Sequence, residues 1–374
     1  MQPNDESGYW LYESKHHSAE ALLEQVAGSA KYGKGINLAL VSSKSNIMKV
    51  FKRCPEGFTV EIKHSEPVFT VHIIRRIEGK GKDHKDEIRV VCAKLENPSL
   101  YLVISDYKPA LFKSLFLKLV NYNYPLLARI FVRNIELRRL FDSLQSKNIE
   151  TFVHRALYYP RDVAGEQVQD KDLKWTKRPY KKIFDLIAEQ NGWIKKVTFK
   201  AYLVREQDGK RHSEIKLEGS ISGDLHFVIK GDFLSFRKYV LDQMIEVVNT
   251  RFGYLKKRSD SASEKLPEPL VIRFKEPIFK EEGWNEKFLE IMSEMKNVSL
   301  TQYHQNHYIH ISLVDYQDGS SYGIWIIAEN EINVIPQIRA SVASMNRLVN
   351  HVNERISEGE VTKYEPIPIG AEGN

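Results

Sequence analysis

The hydrophobic positions of this chain fall into short alternating runs separated by polar turns, and twice such runs lead into a long stretch of helical period. The two stretches read as copies of one another. From Glu87 to Tyr122 a strand opening Glu-Ile passes through a polar turn, Glu96 to Ser99, into an apolar strand, Leu100 to Ile104, and then into an amphipathic helix. From Glu214 to Phe252 the order recurs, with its turn at Ser220 to Asp224 and its apolar strand at Leu225 to Ile229. Leu115, Phe116, Leu119 and Val120 on the first helix correspond to Val240, Leu241, Met244 and Ile245 on the second, a one-sided spacing that lets a helix cover a sheet.

The remaining pattern extends this order along the chain. Strands are expected at Ile36 to Val41, Thr59 to Lys63 and Val68 to Ile77, with a short helix at Asn46 to Lys52, so the first module reads strand, helix, four strands, helix. The second starts with a strand at Leu127 to Val132 and a helix at Ile135 to Gln145 that Asn134 can cap. A strand at Glu150 to Ala156 follows. A polar passage, Pro160 to Pro179, and an added helix at Lys181 to Gln190 then interrupt the pattern before a strand at Lys195 to Val204 resumes it. A charged linker, Lys256 to Lys265, leads to a third module. There strands are predicted at Leu270 to Phe274, Val298 to Tyr303, His307 to Val314 and Tyr322 to Ala328, and helices at Asn285 to Met295 and Val334 to Ile356. Glu365 to Gly370 is a candidate edge strand.

The expectation is therefore an α+β fold of three tandem β-α-β(3-4)-α units, with antiparallel sheets each covered by a long helix. The boundaries are an extension at 1–35, modules at 36–125 and 126–255 with an insertion near 160–190, a linker at 256–269, and a third module at 270–374. The order strand, helix, four strands, helix resembles a TATA-binding-protein-like unit. A ferredoxin-like unit is the competing reading for the third copy, which is expected to be a strand short. Such a likeness of topology implies a fold and transfers no function.

Composition narrows the class. The 374 residues are 42% apolar and 28% charged, as in soluble globular proteins, and the length suggests two or three domains. Only two cysteines, Cys54 and Cys92, argue against a disulfide framework and a cysteine-rich zinc site. No apolar run reaches membrane-spanning length, and the polar N-terminus does not read as a signal peptide, so a cytoplasmic protein with no membrane partner is expected. The net charge of +6 favours an acidic partner.

Catalytic signatures are sparse. The glycines from Gly28 to Gly35 lack the Walker order of strand, loop and helix, and no Gly-x-Ser-x-Gly elbow, dinucleotide fingerprint or His-Glu-x-x-His helix occurs. Glu61 and Lys63, two apart on a strand, share a face, as do Glu214 and Lys216, an arrangement that metal-dependent nucleases use. The first strand offers Glu61 no second acid, and solvated cross-strand pairing is the simpler reading. His304, His307 and His310 form the only histidine cluster; along one strand His307 would point away from the other two, whereas a turn at Gln305-Asn306 would fold His304 back toward His310. His310-Ile-Ser312 also resembles the His-x-Ser/Thr element of two-motif phosphoesterases, without a convincing second copy. No catalytic residue, metal ligand or cofactor is assigned.

Basic residues carry the stronger signal. Between Asp106 and Arg161 there are ten lysines and arginines against four acids, and the excess continues within the insertion in Lys174, Lys177, Arg178, Lys181 and Lys182, with Trp175 and Tyr180 interleaved. Cations that hold phosphates beside rings that stack on bases form sequence-tolerant nucleic-acid surfaces. The expected nucleic-acid-binding residues are Arg138, Arg139, Arg155, Lys174, Trp175, Lys177, Arg178, Lys181 and Lys182. The expected function is a non-catalytic nucleic-acid-binding or assembly protein contacting DNA or RNA. The alternatives are a metal-dependent phosphodiester hydrolase using Glu61 and Lys63 or the histidine group, and a protein-binding scaffold subunit or homo-oligomer.

Overall fold

In the computed structural model of the protein, strand β1 (Ile36–Ser43) is buried at every one of its positions, which is why its sequence runs apolar without alternation. The structure describes residues 11–12, 15–29, 35–64, 66–77, 84–97, 99–161, 169–207, 210–259, 268–280, 283–304 and 308–364. Most of the glycine-rich passage near residue 30, the hairpin tips near 80 and 208, much of the linker, His307 and the segment from 365 onward lie outside the described residues. The chain divides into two compact units, 1–247 and 248–374.

The first unit opens with helix α1 (Ala19–Ser29) and β1, followed by α2 (Ile47–Phe51), β2 (Phe58–Lys63), β3 (Val68–Ile77), β4 (His84–Lys94) and β5 (Leu100–Ser105). Next come α3 (residues 109–122), β6 (Leu127–Arg129), α4 (Asn134–Gln145), β7 (Ile149–Pro160), β8 (Lys171–Pro179) and α5 (Tyr180–Glu189). The unit closes with β9 (Gly192–Gln207), β10 (Lys210–Ser222), β11 (His226–Gly231) and α6 (residues 233–257), within which the boundary between the units falls. All described strands of this unit belong to one antiparallel sheet, in the order β2-β3-β4-β5-β1-β11-β10-β9-β7-β8, with β6 also on β1. β1 pairs with β5 along one edge, and its other edge is shared between β11, over Ile36 to Ala39, and β6, over Val41 to Ser43.

The two long helices lie on opposite faces of this sheet. Ala39 and Val41 share a buried cluster with Val71, Val90 and Val103 of neighbouring strands and with Phe112, Leu115 and Phe116 of α3. Leu38 is paired with Phe227, whose ring meets Phe236 of α6 at 5.5 Å, so α6 covers the opposite face. α4 and α5 join α6 there, since Phe141 touches Phe199 of β9 at 5.1 Å and Phe184 of α5 at 5.7 Å. Both long helices contain a π-helical turn, Phe112–Leu117 in α3 and Arg237–Leu241 in α6, starting at matched positions of the two similar stretches.

Described by itself, the second unit is a sheet in the order β13-β14-β15-β16-β12-β17, whose helices lie on one face. Its strands are β12 (Leu270–Phe274), β13 (Val298–His304), β14 (Ile309–Asp315), β15 (Ser320–Ile326), β16 (Glu331–Pro336) and β17 (Gly359–Lys363), with helices α7 (Trp284–Ser293) and α8 (Val342–Arg355). The helix predicted from Val334 is corrected here. Ile332 and Val334 are buried on β16, paired with Ile272 and Leu270, and the helix starts only after Ser341, whose hydroxyl caps Ser344 N–H. Nor is the unit a strand short, because the residues read as helix supply β16. The polar passage before Pro179 is also structured: it forms β8, an edge strand whose exposed side chains hid its strand character.

His226 sits where the two halves of the large sheet meet. It is 2% exposed, its Nε2 lies 3.2 Å from Asn37 Oδ1, and its ring stacks on Phe112 at 4.9 Å. Burial pushes its pKa from 6.5 down to about 4; Asp224 opposes that shift, while Lys113, Lys196 and Arg129 add to it. Because the folded pKa lies below the unfolded one, the contribution of His226 is complete above pH 6.5. It is lost toward pH 4 as the unfolded chain takes up a proton, at about 1.4 kcal/mol per pH unit. Urea unfolding at pH 5 and pH 7 should therefore show a stability gap that narrows in His226→Gln; an unchanged gap would assign the acid sensitivity to another group.

Candidate nucleic-acid interface

Alternation along β9 produces a second face, opposite α4, α5 and α6, which α3 borders at its β11 end through Phe112 on His226. Val197, Phe199 and Ala201 are buried toward α4, α5 and α6, which leaves Lys196, Thr198, Lys200 and Tyr202 on the other face. Cross-strand pairing extends this face: Thr198 stands between Arg155 and Ser220, and Lys200 between Phe152 and Glu218. Val228 and Lys230 of β11 continue it opposite Ser220 and Glu218. Phe152, Thr198, Lys200 and Tyr202 are all only part-buried, whereas the reverse face of the same strands is fully covered.

Rings and cations are interleaved on this surface. Phe152 and Tyr202 meet edge to face at 5.7 Å, and Lys177 Nζ lies 4.3 Å from the Phe152 ring centre and 4.6 Å from that of Tyr202. Arg155 forms a bidentate pair with Asp172 at 2.7 Å, and Lys200 pairs with Glu218 at 3.2 Å. Ion pairs on an exposed face contribute little, so these cations can exchange their carboxylates for phosphates at small cost. Lys196 lies deeper. Burial lowers its pKa, and the nearby charges of Lys113 and Arg155 lower it further. Lys113 and Arg155 thus both act against the charge of Lys196, which a nearby anion would ease.

A β-bulge between Ile215 and Leu217 marks the far end of the face. Gly231 is required there, with φ of +104°, because a Cβ would come 2.3 Å from the Lys216 carbonyl oxygen. Lys216 pairs with Asp232 at 2.5 Å, and Asp232 caps the start of α6 by accepting from Leu234 and Ser235 N–H. The Glu214 and Lys216 pair is thus split by the bulge.

The nine predicted residues fall on two sides of the sheet. Arg155, Lys174 and Lys177 belong to the uncovered face, Arg155 and Lys174 being cross-strand partners. Arg138 and Arg139 lie on α4 and Lys181 and Lys182 on α5, in the helix layer of the reverse side, where Arg138 pairs with Asp185 at 2.7 Å. Arg178 is across from buried Val153, and Trp175 is half-buried in β8. The nine therefore do not form one surface. Phe152, Lys196, Lys200 and Tyr202 were missed, although strict alternation from Lys196 to Tyr202 was a signal for them.

The other candidates are placed as follows. Glu61 lies on the edge strand β2 opposite His72, 3.5 Å from its Nδ1, and Glu87 is 3.4 Å from its Nε2, so the acid near Glu61 comes from β4 and not from the first strand. His304 and His310 meet as a cross-strand pair on one face of the second unit. Among the described residues no group of three or more histidines, cysteines or carboxylates is arranged to hold a metal ion, and no helix is long and apolar enough to cross a membrane.

No protein family matches the chain, and no curated protein matches it. Among solved structures, a DNA polymerase sliding clamp from Pseudomonas aeruginosa aligns over 85% of this chain and 96% of that one, with 10% identity and a TM-score of 0.11. Overlap this weak carries no argument about fold or function.

The lowered pKa of Lys196 has a chemical signature. At mildly alkaline pH its amine should acylate ahead of the exposed lysines Lys181 and Lys182, and Lys113→Ala should slow that reaction by removing a repelling charge. Peptide mapping after limited acetylation reads the order; equal labelling of the three lysines would refute the clustering.

Proposed function

We propose that the protein binds nucleic acid through the uncovered face of β7, β8, β9, β10 and β11, without catalysing a reaction on it. The observation that carries this reading is the Phe152, Tyr202 and Lys177 cluster on one sheet face with Lys196, Lys200 and Arg155, where the charges of Lys113 and Arg155 act against that of Lys196. Cations held against their own repulsion suit a phosphate backbone, and rings of this kind suit bases. Thr198, part-buried between Arg155 and Lys200, adds a hydroxyl that can donate to phosphate or sugar oxygens.

The fold reading that accompanies this proposal is that α3 and α6 close two copies of one β-α-β(4)-α module of TATA-binding-protein-like order. The π-helical turns at matched positions support it, since a π turn is rare and two at equivalent sites argue a common origin. The inserted β8 and α5 then belong to the second copy alone and supply Lys174 and Lys177.

Fluorescence anisotropy with labelled DNA and RNA across a salt series tests the assignment. Lys177→Glu combined with Lys196→Glu and Lys200→Glu should weaken binding and flatten the dependence of log K on log salt by roughly 0.7 to 0.9 for each phosphate no longer neutralised. Arg139→Glu with Lys181→Glu and Lys182→Glu, on the helix layer, should leave both nearly unchanged. The reverse ranking would move the interface to the helices, and no binding by the unaltered protein would reject the function.

A further inference from the structure

The second unit carries a contiguous row of five rings on the sheet face that its helices leave bare. Ile309, Ile311 and Leu313 of β14 are buried on the same side as Ile324, Val334 and Ile272, and the aromatic chain from Phe274 through Phe279 to Phe288 places α7 on that side. His310 and Trp325 alternate with these residues and face the other way, stacked at 3.8 Å with 21° between their planes. Tyr308 lies parallel to Trp325, at 6.0 Å and 7°, and carries His304 on its own ring at 4.3 Å. A bulge between Gln302 and His304 brings Tyr303 onto His310 at 4.9 Å. Tyr303 is 61% exposed and Tyr308 37%, so the row presents ring surface to solvent.

The polar groups beside the rings narrow what such a row can hold. Asn333 stands directly across from Trp325 and is 5% exposed, yet its Oδ1 has no hydrogen-bond partner. Gly323 leaves the floor next to Trp325 without a side chain; a Cβ there would come 3.4 Å from the indole Nε1 and 3.3 Å from the Gln337 amide nitrogen. The row itself contains no lysine, arginine or carboxylate, and burial together with the neighbouring His304 lowers the pKa of His310, which keeps that ring neutral at pH 7. Neutral stacked rings bordered by amide and indole edges fit a planar ligand with hydrogen-bonding groups on its rim, which describes a nucleobase. They suit a phosphate or a cationic side chain less well, since the row itself carries no charge and the neighbouring Glu331 and Arg273 are paired with each other. A base inside a duplex hides its faces, so the ligand would be single-stranded.

We infer that the Tyr303, Tyr308, His310 and Trp325 row is a stacking platform for the bases of single-stranded nucleic acid. The inference rests on the nucleic-acid reading above and adds strand type and a second contact region of different chemistry. The two are separable because stacking is nearly indifferent to salt whereas phosphate contacts are not.

The test uses the full-length protein with a short single-stranded oligothymidylate and a duplex of the same length. Tyr303→Ala with Tyr308→Ala should weaken single-strand binding at least about fivefold for each base that no longer stacks, with an unchanged salt slope and unchanged duplex binding. Tyr303→Phe with Tyr308→Phe should restore it. Both tyrosines are solvent-facing, so a circular dichroism spectrum matching the parent is expected. Photocrosslinking to an oligonucleotide carrying 4-thiothymidine should label the peptide containing Tyr303 or Trp325. Single-strand affinity unchanged in the alanine variant, or an equal loss for duplex, would overturn the platform while leaving the cationic face standing. Failure of the unaltered protein to bind either strand form would overturn both.

Discussion

The ladder between β1 and β11 sets the rest of the first unit. Its register places Leu38 beside Phe227 and Ala39 beside His226, and in a pleated sheet that one choice fixes which residues of every neighbouring strand share a side. Slipping it by one residue would bring buried apolar side chains onto the polar face. The join also places α3 and α6 on opposite faces, so that β1 between them must be apolar on both sides. The polar residues of β1 are bonded within the fold: Ser42 and Ser43 donate to the Ala128 and Ser45 carbonyls, and the fully buried Asn37 amide donates to the Tyr107 carbonyl at 2.5 Å while its oxygen meets His226.

Once the helices of the second half lie behind β7, β9 and β10, the front of those strands has no cover among the described residues. Its side chains are polar and basic as a direct consequence of the alternation that builds the core behind it. Lys196, Thr198, Lys200 and Tyr202 alternate with Val197, Phe199 and Ala201, so the same strand packs the core on one side and carries the proposed nucleic-acid face on the other. The insertion adds to this by placing an edge strand whose Lys177 reaches over Phe152 and Tyr202.

Much of the element order was readable from hydrophobic period alone, because amphipathic helices and half-buried strands leave distinct spacings. β8 was not, since an exposed edge strand such as Lys171 to Pro179 has no buried stripe to announce it. β16 was absorbed into the helix that follows because Val334 and Ile335 suit either period, and only the pairing with β12 decides between them. Linear density of charge singled out one segment but mixed its two sides: Arg155 and Lys177 face one way, Arg138, Lys181 and Lys182 the other. Faces are a property of pairing between strands far apart in sequence, which no local window contains. The approach of His304 to His310 was legible as one of two alternatives, and they do meet as a cross-strand pair.

Lysine footprinting in the presence and absence of a single-stranded oligonucleotide bears most directly on the separation of the two faces. The account predicts that Lys177, Lys196 and Lys200 become protected while Lys181 and Lys182 label as before. Protection of Lys181 and Lys182 with the sheet-face lysines unaffected would contradict it.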